Sequence, residues 1–150
     1  MRVVIQRVRR ASVSVDGVVL SEIREGLLVL LGVGHEDDRT DIDYLVRKIA
    51  GCRVFDDADG VMNLDVRQAG GDIIVVSQFT LMASTKKGNR PSYIAAAGPE
   101  TAVPLYEEFC RALSEAIGKP VGTGRFGADM QVFLVNDGPV TICMDSRNRE

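Results

Sequence analysis

The 150-residue chain has the length and composition of one globular domain, with 45% apolar and 26% charged residues. Its formal net charge of -3 at pH 7 argues against broad, nonspecific binding of nucleic acid. No apolar run approaches the ~20 residues of a membrane span, and the N-terminus has a short strand pattern rather than that of a signal peptide. We therefore expect a single domain, residues 1–150, that is soluble and cytoplasmic.

The cysteines and the one histidine do not form a recognisable site. Cys52, Cys110 and Cys143 are odd in number and widely spaced, no C-x-x-C pair occurs, and His35 is the single histidine. Neither a disulfide framework nor a zinc site is indicated. We expect reduced core cysteines, no metal and no cofactor.

The charged residues are unevenly distributed along the chain. Two basic clusters and one acidic run stand out: Arg2, Arg7, Arg9 and Arg10; Lys86, Lys87 and Arg90; and Glu36, Asp37, Asp38, Asp41 and Asp43. Charge runs most often form solvated faces, so the basic clusters only suggest an anionic partner.

The first third of the sequence predicts strands at residues 3–8, 11–15, 18–23 and 27–33, with a hairpin turn at Asp16-Gly17. A helix follows, with Thr40 as its N-cap and Gly51 as its terminator. Its apolar residues recur at helical spacing: Ile42, Leu45, Val46 and Ile49. Residues 52–55 predict a short strand. Residues 56–60 are acidic but lack a calcium loop's first and twelfth ligands, so they predict a solvated turn.

Residues 71–81 are the most unusual stretch of the chain. Residues 73–76 are four β-branched apolar residues without alternation, which predicts a central strand buried on both faces. Ser77, Gln78 and Thr80 surround Phe79 at its end, where polar groups need partners in the protein, in water or in a ligand. The two hydroxyls could instead satisfy local backbone groups. Residues 85–91, which are polar, basic and turn-forming, predict a loop.

The second half predicts one helix and two strands. The helix begins between Pro99 and Pro104 and ends at Gly118, and the strands cover residues 130–135 and 140–144, separated by Asn136-Asp137-Gly138-Pro139. Strands outnumber helices and the two are mixed along the chain. We therefore predict an α+β fold, a mixed and partly barrel-like β-sheet with two main helices packed on it. A Gly-Pro bond between two strands can be cis, although trans is commoner.

The side chains available for hydrolysis are few. A catalytic triad would need His35, which lies beside the acidic run and is expected at the surface, and the common nucleophile and phosphate motifs are absent. Thr80 has no obvious base beside it, and an unactivated hydroxyl is a poor nucleophile. Either the protein only binds its ligand, or its substrate supplies part of the chemistry.

Two separated motifs carry a resemblance to a known family. Ser77-Gln78-Phe79-Thr80-Leu81 and Asn136-Asp137-Gly138-Pro139-Val140-Thr141 together resemble the motif pair of the D-aminoacyl-tRNA deacylases. The similarity extends along the chain to the opening strand, the Lys87-Gly88-Asn89-Arg90-Pro91-Ser92 loop, Leu105-Tyr106-Glu107-Glu108-Phe109, and Gly124-Arg125-Phe126-Gly127-Ala128-Asp129-Met130.

The resemblance implies a homodimeric, cytoplasmic enzyme that hydrolyses the ester between a D-amino acid, or glycine, and the terminal adenosine of tRNA. It implies a cis Gly138-Pro139 bond whose main chain excludes L-amino acids from across the dimer interface. Ser77, Gln78, Phe79 and Thr80 would line the substrate pocket. Thr80 is either the nucleophile or a pocket residue beside a reaction assisted by the ribose 2'-hydroxyl, and we favour the second. The predicted tRNA contacts are Lys86, Lys87, Arg90 and Arg7.

Two other functions are compatible with the residues. A noncatalytic module could bind RNA ends through the basic clusters, with Phe79 as a stacking platform. A hydrolase of small D-amino-acid esters or amides would ignore the body of the tRNA. Release of amino acid from D-aminoacyl-tRNA, beside the L-form, separates the three.

Overall fold

The computed structural model describes residues 1–149. In chain order the elements are β1 (Arg2–Val15), β2 (Val18–Ile23), β3 (Gly26–Gly32), α1 (Arg39–Ala50), β4 (Phe55–Asp56), β5 (Met62–Leu64), β6 (Asp72–Ser77), a 3-10 turn (Phe79–Met82), α2 (Pro99–Ile117), β7 (Gly122–Thr123) and β8 (Met130–Asp145). No helix among the described residues is long and apolar enough to span a membrane.

The two longest strands come from opposite ends of the chain and pair along their length. β1 is antiparallel to β8 on one edge, and on its other edge it pairs with β3 through its first half and with β2 through its second half. β6 is parallel to β3 on one side and to β7 on the other. Gly26 permits the close approach of β3 to β6, because a Cβ there would lie 1.8 Å from the carbonyl oxygen of Asp72.

The sheet nearly closes on itself where β2 meets β7. The Ser21 hydroxyl donates to the Thr123 carbonyl oxygen at 2.6 Å, and the Thr123 amide donates to Ser21 Oγ at 2.9 Å. These two bonds satisfy strand-edge groups that would otherwise need water. The prediction of an α+β domain with a mixed, barrel-like sheet and two helices is therefore confirmed.

Burial on both faces explains why β3 and β6 show no alternation. On β6, Ile73 and Val75 pack toward the helices, while Ile74 and Val76 point into the barrel. The helix side also holds Phe109 and Leu113 of α2, which are fully buried. Each strand therefore separates two apolar layers, and every position on it can be apolar.

Several sequence predictions of local structure are wrong in detail. Residues 3–8 and 11–15 form one strand, and residues 136–139 do not separate two strands but lie inside the continuous β8. No strand occupies residues 52–54; β4 begins at Phe55 and pairs with β5 around the predicted turn at residues 56–60. Cys143 is exposed and Cys52 half-buried, so only Cys110 is a core cysteine.

The N-cap of α1 is Asp38 and not Thr40. Its side chain accepts from the Thr40 amide, while the Asp41 carboxylate accepts from the Asp38 amide, which completes a capping box. Two members of the acidic run are buried rather than solvated. The α-ammonium of Met1 donates to Asp37 at 2.6 Å, and Arg147 donates to both Asp37 and Asp41 at 3.2 Å.

Candidate active site

The end of β6 opens onto a cavity of about 290 Å³. Pairing with β3 ends where the Gln78 amide donates to the Leu31 carbonyl oxygen at 2.7 Å, and the chain then turns through the 3-10 turn. Ser77, Gln78 and Phe79 line the cavity. Its other walls come from β3 and the residue after it, from β6, from α2 and the segment before it, and from the β7–β8 connection and the start of β8: Leu31, Val33, Val76, Ala97, Ala102, Tyr106, Phe126, Gly127, Ala128, Met130 and Val132. A concave, largely apolar space with a few polar groups at a strand end is typical of a small-ligand site.

Tyr106 connects α2 to the strand that carries the site. Its hydroxyl donates to the Val75 carbonyl oxygen at 2.7 Å, and its ring packs at a tilt against Phe126, with centroids 6.2 Å apart. Burial raises the pKa of Tyr106 well above its ordinary value, so the phenol stays neutral and remains a donor. Tyr106 is therefore a structural donor in the cavity wall and not a proton acceptor.

Thr80 lies beside the cavity without lining it. The Gln78 side-chain amide is 2.5 Å from Thr80 Oγ1, and an amide is not a base at neutral pH in either orientation. His35 is hydrogen-bonded to a different segment, with its Nε2 2.9 Å from the Ile94 carbonyl oxygen. Burial raises the pKa of the Cys110 thiol to about 11, so it stays protonated. Within residues 1–149, Thr80 therefore makes no hydrogen bond to a group that could activate it.

Gly138 and Pro139 occupy an exposed bulge of β8 and do not line the cavity of their own chain. Their peptide bond is cis. The bulge is held from both sides. The Asn136 side-chain amide donates to the Arg7 and Val140 carbonyl oxygens, both at 3.0 Å, while Arg7 donates to the Asp137 carbonyl oxygen at 3.3 Å.

Arg7 is not placed to contact tRNA. It is 8% exposed, donates to the Val54 carbonyl oxygen at 2.6 Å, and forms ion pairs with Asp137 at 3.2 Å and Asp56 at 3.4 Å. A buried guanidinium with these partners has no free face for a phosphate. The structure therefore corrects the prediction of Arg7 as a tRNA contact and shows it as a support of the Gly138-Pro139 bulge.

The other predicted tRNA contacts lie on an exposed loop. Lys86, Lys87 and Arg90 project from a loop closed by backbone hydrogen bonds between Ser84 and Ser92, at 2.8 and 2.9 Å. None of the three forms an ion pair within residues 1–149. Their charges are therefore free to meet an anionic partner.

Comparison with known proteins identifies the family. The model of the D-Tyr-tRNA(Tyr) deacylase family matches residues 4–145. Proteins named D-aminoacyl-tRNA deacylase from Bacteroides thetaiotaomicron and Flavobacterium johnsoniae are 60% and 59% identical over 150 residues, which is the full length of both this chain and each relative. The chain belongs to this deacylase family. The resemblance found in the sequence is confirmed.

Solved structures agree with the fold of this deacylase family member. A structure described as the c-Myc DNA Unwinding Element Binding Protein is 41% identical, covers 97% of this chain and 98% of its own, and superposes with a TM-score of 0.92. A second, described as a probable eukaryotic D-amino acid tRNA deacylase, has a TM-score of 0.80 at 18% identity and supports the fold alone.

The candidate site contains residues to which the sequence assigned no role. Tyr106, Phe126 and Met130 complete the cavity, although each lies within a stretch that carried the family resemblance. Conversely, Ser77, Gln78 and Phe79 are together in the cavity, whereas Gly138 and Pro139 are outside it. The one available signal for Tyr106 was its position on the apolar stripe of a predicted helix, which indicates burial but not a neighbouring cavity.

Proposed function

We propose that this protein hydrolyses the ester between a D-amino acid, or glycine, and the 3'-terminal adenosine of tRNA, and so removes wrongly charged tRNA before translation. Its family membership makes it a D-aminoacyl-tRNA deacylase, an ester hydrolase. The observation that carries the proposal is the match to deacylases over the full chain, with Ser77, Gln78 and Phe79 of the shared motif meeting in one cavity.

The ribose 2'-hydroxyl of the substrate, rather than Thr80, assists the attack of a water molecule on the ester carbonyl carbon. The bond from that carbon to the ribose 3'-oxygen breaks, the 3'-oxygen takes up a proton, and the amino acid leaves with the oxygen of the water. Thr80 is bonded to an amide and to no base among residues 1–149. In a 3'-linked ester the ribose 2'-hydroxyl is already adjacent to the carbonyl carbon, and such intramolecular positioning can replace a side-chain catalyst. The role of Gln78 and Thr80 is then to orient the ribose and the ester by hydrogen bonds.

Selection against L-amino acids comes from the main chain at Gly138 and Pro139 of a second copy of the chain. In its own chain this bulge is exposed and outside the cavity, while Arg7 and Asn136 hold it rigidly. A rigid backbone wall can reject a side chain of one hand by steric exclusion. Glycine has no side chain to reject, so the same wall admits glycyl-tRNA, including tRNA-Ala mischarged with glycine.

The deciding experiment compares four substrates with the wild-type enzyme: D-aminoacyl-tRNA, its L-form, glycyl-tRNA, and a D-aminoacyl-tRNA that ends in 2'-deoxyadenosine. We expect release of D-amino acid and glycine but not of L-amino acid. The deoxy substrate should bind yet react more slowly by on the order of 10² to 10⁴, the usual loss of one acid-base group.

Thr80→Val tests the alternative mechanism in the same assay. Substrate assistance predicts substantial residual activity on the ordinary D-substrate. Normal turnover of the deoxy substrate, an inactive Thr80→Val and a trapped acyl-enzyme on the wild type would together assign Thr80 as the nucleophile. An active monomer in sedimentation would contradict the contribution of a second copy.

A second candidate is binding of nucleic acid without turnover. The 41% identical structure is named for binding a DNA unwinding element, and Lys86, Lys87 and Arg90 offer this chain a free basic loop. A purely binding protein would retain tRNA or DNA on a filter yet release no amino acid from any of the four substrates.

A further inference from the structure

An exposed apolar cluster lies at the rim of the cavity. Phe79 is 56%, Tyr93 39% and Ile94 85% exposed, and the two aromatic rings meet edge to face with centroids 5.0 Å apart. Phe79 also lines the cavity, so the cluster continues the site outward. Two exposed aromatic rings in contact, with an exposed isoleucine next in the chain, are characteristic of a surface that binds a partner.

The backbone beneath this cluster is fixed. His35 Nε2 lies 2.9 Å from the Ile94 carbonyl oxygen, and the Ala96 amide donates to the Tyr93 carbonyl oxygen at 2.9 Å. The Ala97 amide donates to the Val33 carbonyl oxygen, also at 2.9 Å. Because the turn is tied to the end of β3, little backbone entropy remains to be lost when a partner binds.

A basic loop adjoins the cluster directly. Tyr93 follows Ser92, which is hydrogen-bonded to Ser84, and residues 85–91 project from that pair. No residue of the loop is more than four positions along the chain from Ser84 or Ser92. Lys86, Lys87 and Arg90 therefore all lie within roughly 14 Å of this hydrogen-bonded pair. The surface therefore combines aromatic rings with free positive charge beside the cavity.

We propose that Phe79, Tyr93 and Ile94 bind the unpaired bases of tRNA that precede the terminal adenosine, while Lys86, Lys87 and Arg90 contact their phosphates. The inference rests on the proposed function, which places the terminal adenosine next to Phe79. Single-stranded nucleic acid is recognised by this pairing of stacking side chains with a basic groove. The basic loop favours RNA as the partner over a second copy of this chain. RNA is a polyanion, whereas the net charge of the chain is only -3.

The test uses the double variant Tyr93→Ala/Ile94→Ala and two substrates, a full D-aminoacyl-tRNA and the corresponding 3'-D-aminoacyl-adenosine. Loss of a stacking side chain weakens binding by roughly 5- to 150-fold per base. We expect kcat/KM on the tRNA to fall at least tenfold more than kcat/KM on the adenosine ester. Val61→Ala, which truncates a residue of 57% exposure in the β4–β5 turn, is the matched control and should change neither.

Equal losses of kcat/KM on the two substrates would mean that Tyr93 and Ile94 only shape the pocket. Unchanged activity on tRNA would mean that they do not contact the tRNA. Either result overturns the inference. A shift of the variant to a smaller species in sedimentation would assign the cluster to a second copy and overturn it as well. Direct binding of uncharged tRNA to wild type and variant is measured in parallel. If the wild type hydrolyses neither substrate, the proposed function fails. The ratio of the affinities of wild type and variant for uncharged tRNA then decides the inference.

Discussion

Glycine is required at position 138 by the local backbone geometry and by the neighbouring side chains. Its φ of +119° lies outside the regions open to other residues, and a Cβ there would lie 2.9 Å from Val140 Cγ2 and 3.1 Å from Arg7 Nη2. Any side chain would strain the backbone and displace the guanidinium that supports the bulge. The bulge that we assign to chirality selection therefore depends on glycine at this position.

We predict that Gly138→Ala lowers the free energy of unfolding by about 1–3 kcal/mol and impairs discrimination between D- and L-substrates. Urea denaturation and the paired D/L assay measure the two effects. Gly60→Ala is the control, because Gly60 has a φ of +76° with nothing within 4 Å, so it reports backbone strain alone. A Gly138→Ala variant as stable and selective as wild type would contradict this account.

Asp41 gives the protein a component of stability that depends on pH in the acid range. Burial alone would raise its pKa, but the Ser146 hydroxyl, the Asp38 amide and the charges of the N-terminal ammonium and Arg147 outweigh burial, so the pKa of Asp41 is below its ordinary 3.8. A lowered folded-state pKa contributes stability that is complete above about pH 4 and is lost as pH falls through the folded pKa.

We therefore predict that wild type loses stability more steeply than Asp41→Asn as the pH falls below about 4. The measurement is the free energy of unfolding by urea at several pH values between about 2 and 6. Asp43→Asn is the control, because Asp43 pairs with Arg39 at an exposed surface where ion pairs contribute little. Parallel pH curves for wild type and Asp41→Asn would show that another group governs acid stability.

At the scale of elements, a single hydrogen bond couples α2 to the site strand. The Tyr106 hydroxyl is the donor to the Val75 carbonyl oxygen, in a wall shared by the core and the cavity. Tyr106→Phe removes the donor while keeping the ring against Phe126. The variant separates the effect of the bond from that of packing.

We predict that Tyr106→Phe lowers the free energy of unfolding by about 1 kcal/mol, the usual net value of one such bond. Tyr44→Phe is the control, because the Tyr44 hydroxyl makes no hydrogen bond within residues 1–149. Urea unfolding of both variants beside wild type gives the comparison. Equal stability of all three proteins would mean that a water molecule replaces the hydrogen bond of the phenol with no loss of folding free energy.

At the scale of the whole molecule, the position of the basic loop matters more than the net charge. The chain is acidic overall, yet Lys86, Lys87 and Arg90, none of which forms an ion pair within residues 1–149, lie together on one exposed loop. An excess of negative charge elsewhere limits nonspecific attachment to nucleic acid, while a local basic cluster can attract phosphates that come close to it. This distribution suits an enzyme that must release its tRNA.

We predict that replacing Lys86, Lys87 and Arg90 with alanine weakens tRNA binding and flattens its dependence on salt. Each phosphate that the loop no longer neutralises reduces the slope of log affinity against log salt by roughly 0.7 to 0.9. Alanine at Arg24, Arg47 and Lys48, which are exposed on the β2–β3 turn and α1, removes the same charge elsewhere and is the control. An unchanged salt slope in the loop variant would mean that the loop does not contact the phosphates of tRNA.

The sequence was most informative where local pattern and burial coincide. The β-branched residues 73–76 predicted a strand buried on both faces, and Asp16-Gly17 predicted the β1–β2 turn; both are found. It failed at residues 136–139, where turn-forming residues predicted a break. β8 continues there because its pairing with β1 on both sides of the bulge, together with Arg7 and Asn136, holds the chain in line.

The sequence by itself determined the family, the α+β class, the extent of α1 to within two residues, the end of α2, and the polar motif at the end of β6. Only the tertiary structure decided that Arg7 is buried, that Asp37 and Asp41 are paired with Met1 and Arg147, and that Tyr106 and Phe126 complete the cavity. The physical reason is distance along the chain. Helical period and strand burial are local properties, whereas the partner of a charge and the wall of a cavity are supplied by residues as many as 145 positions away.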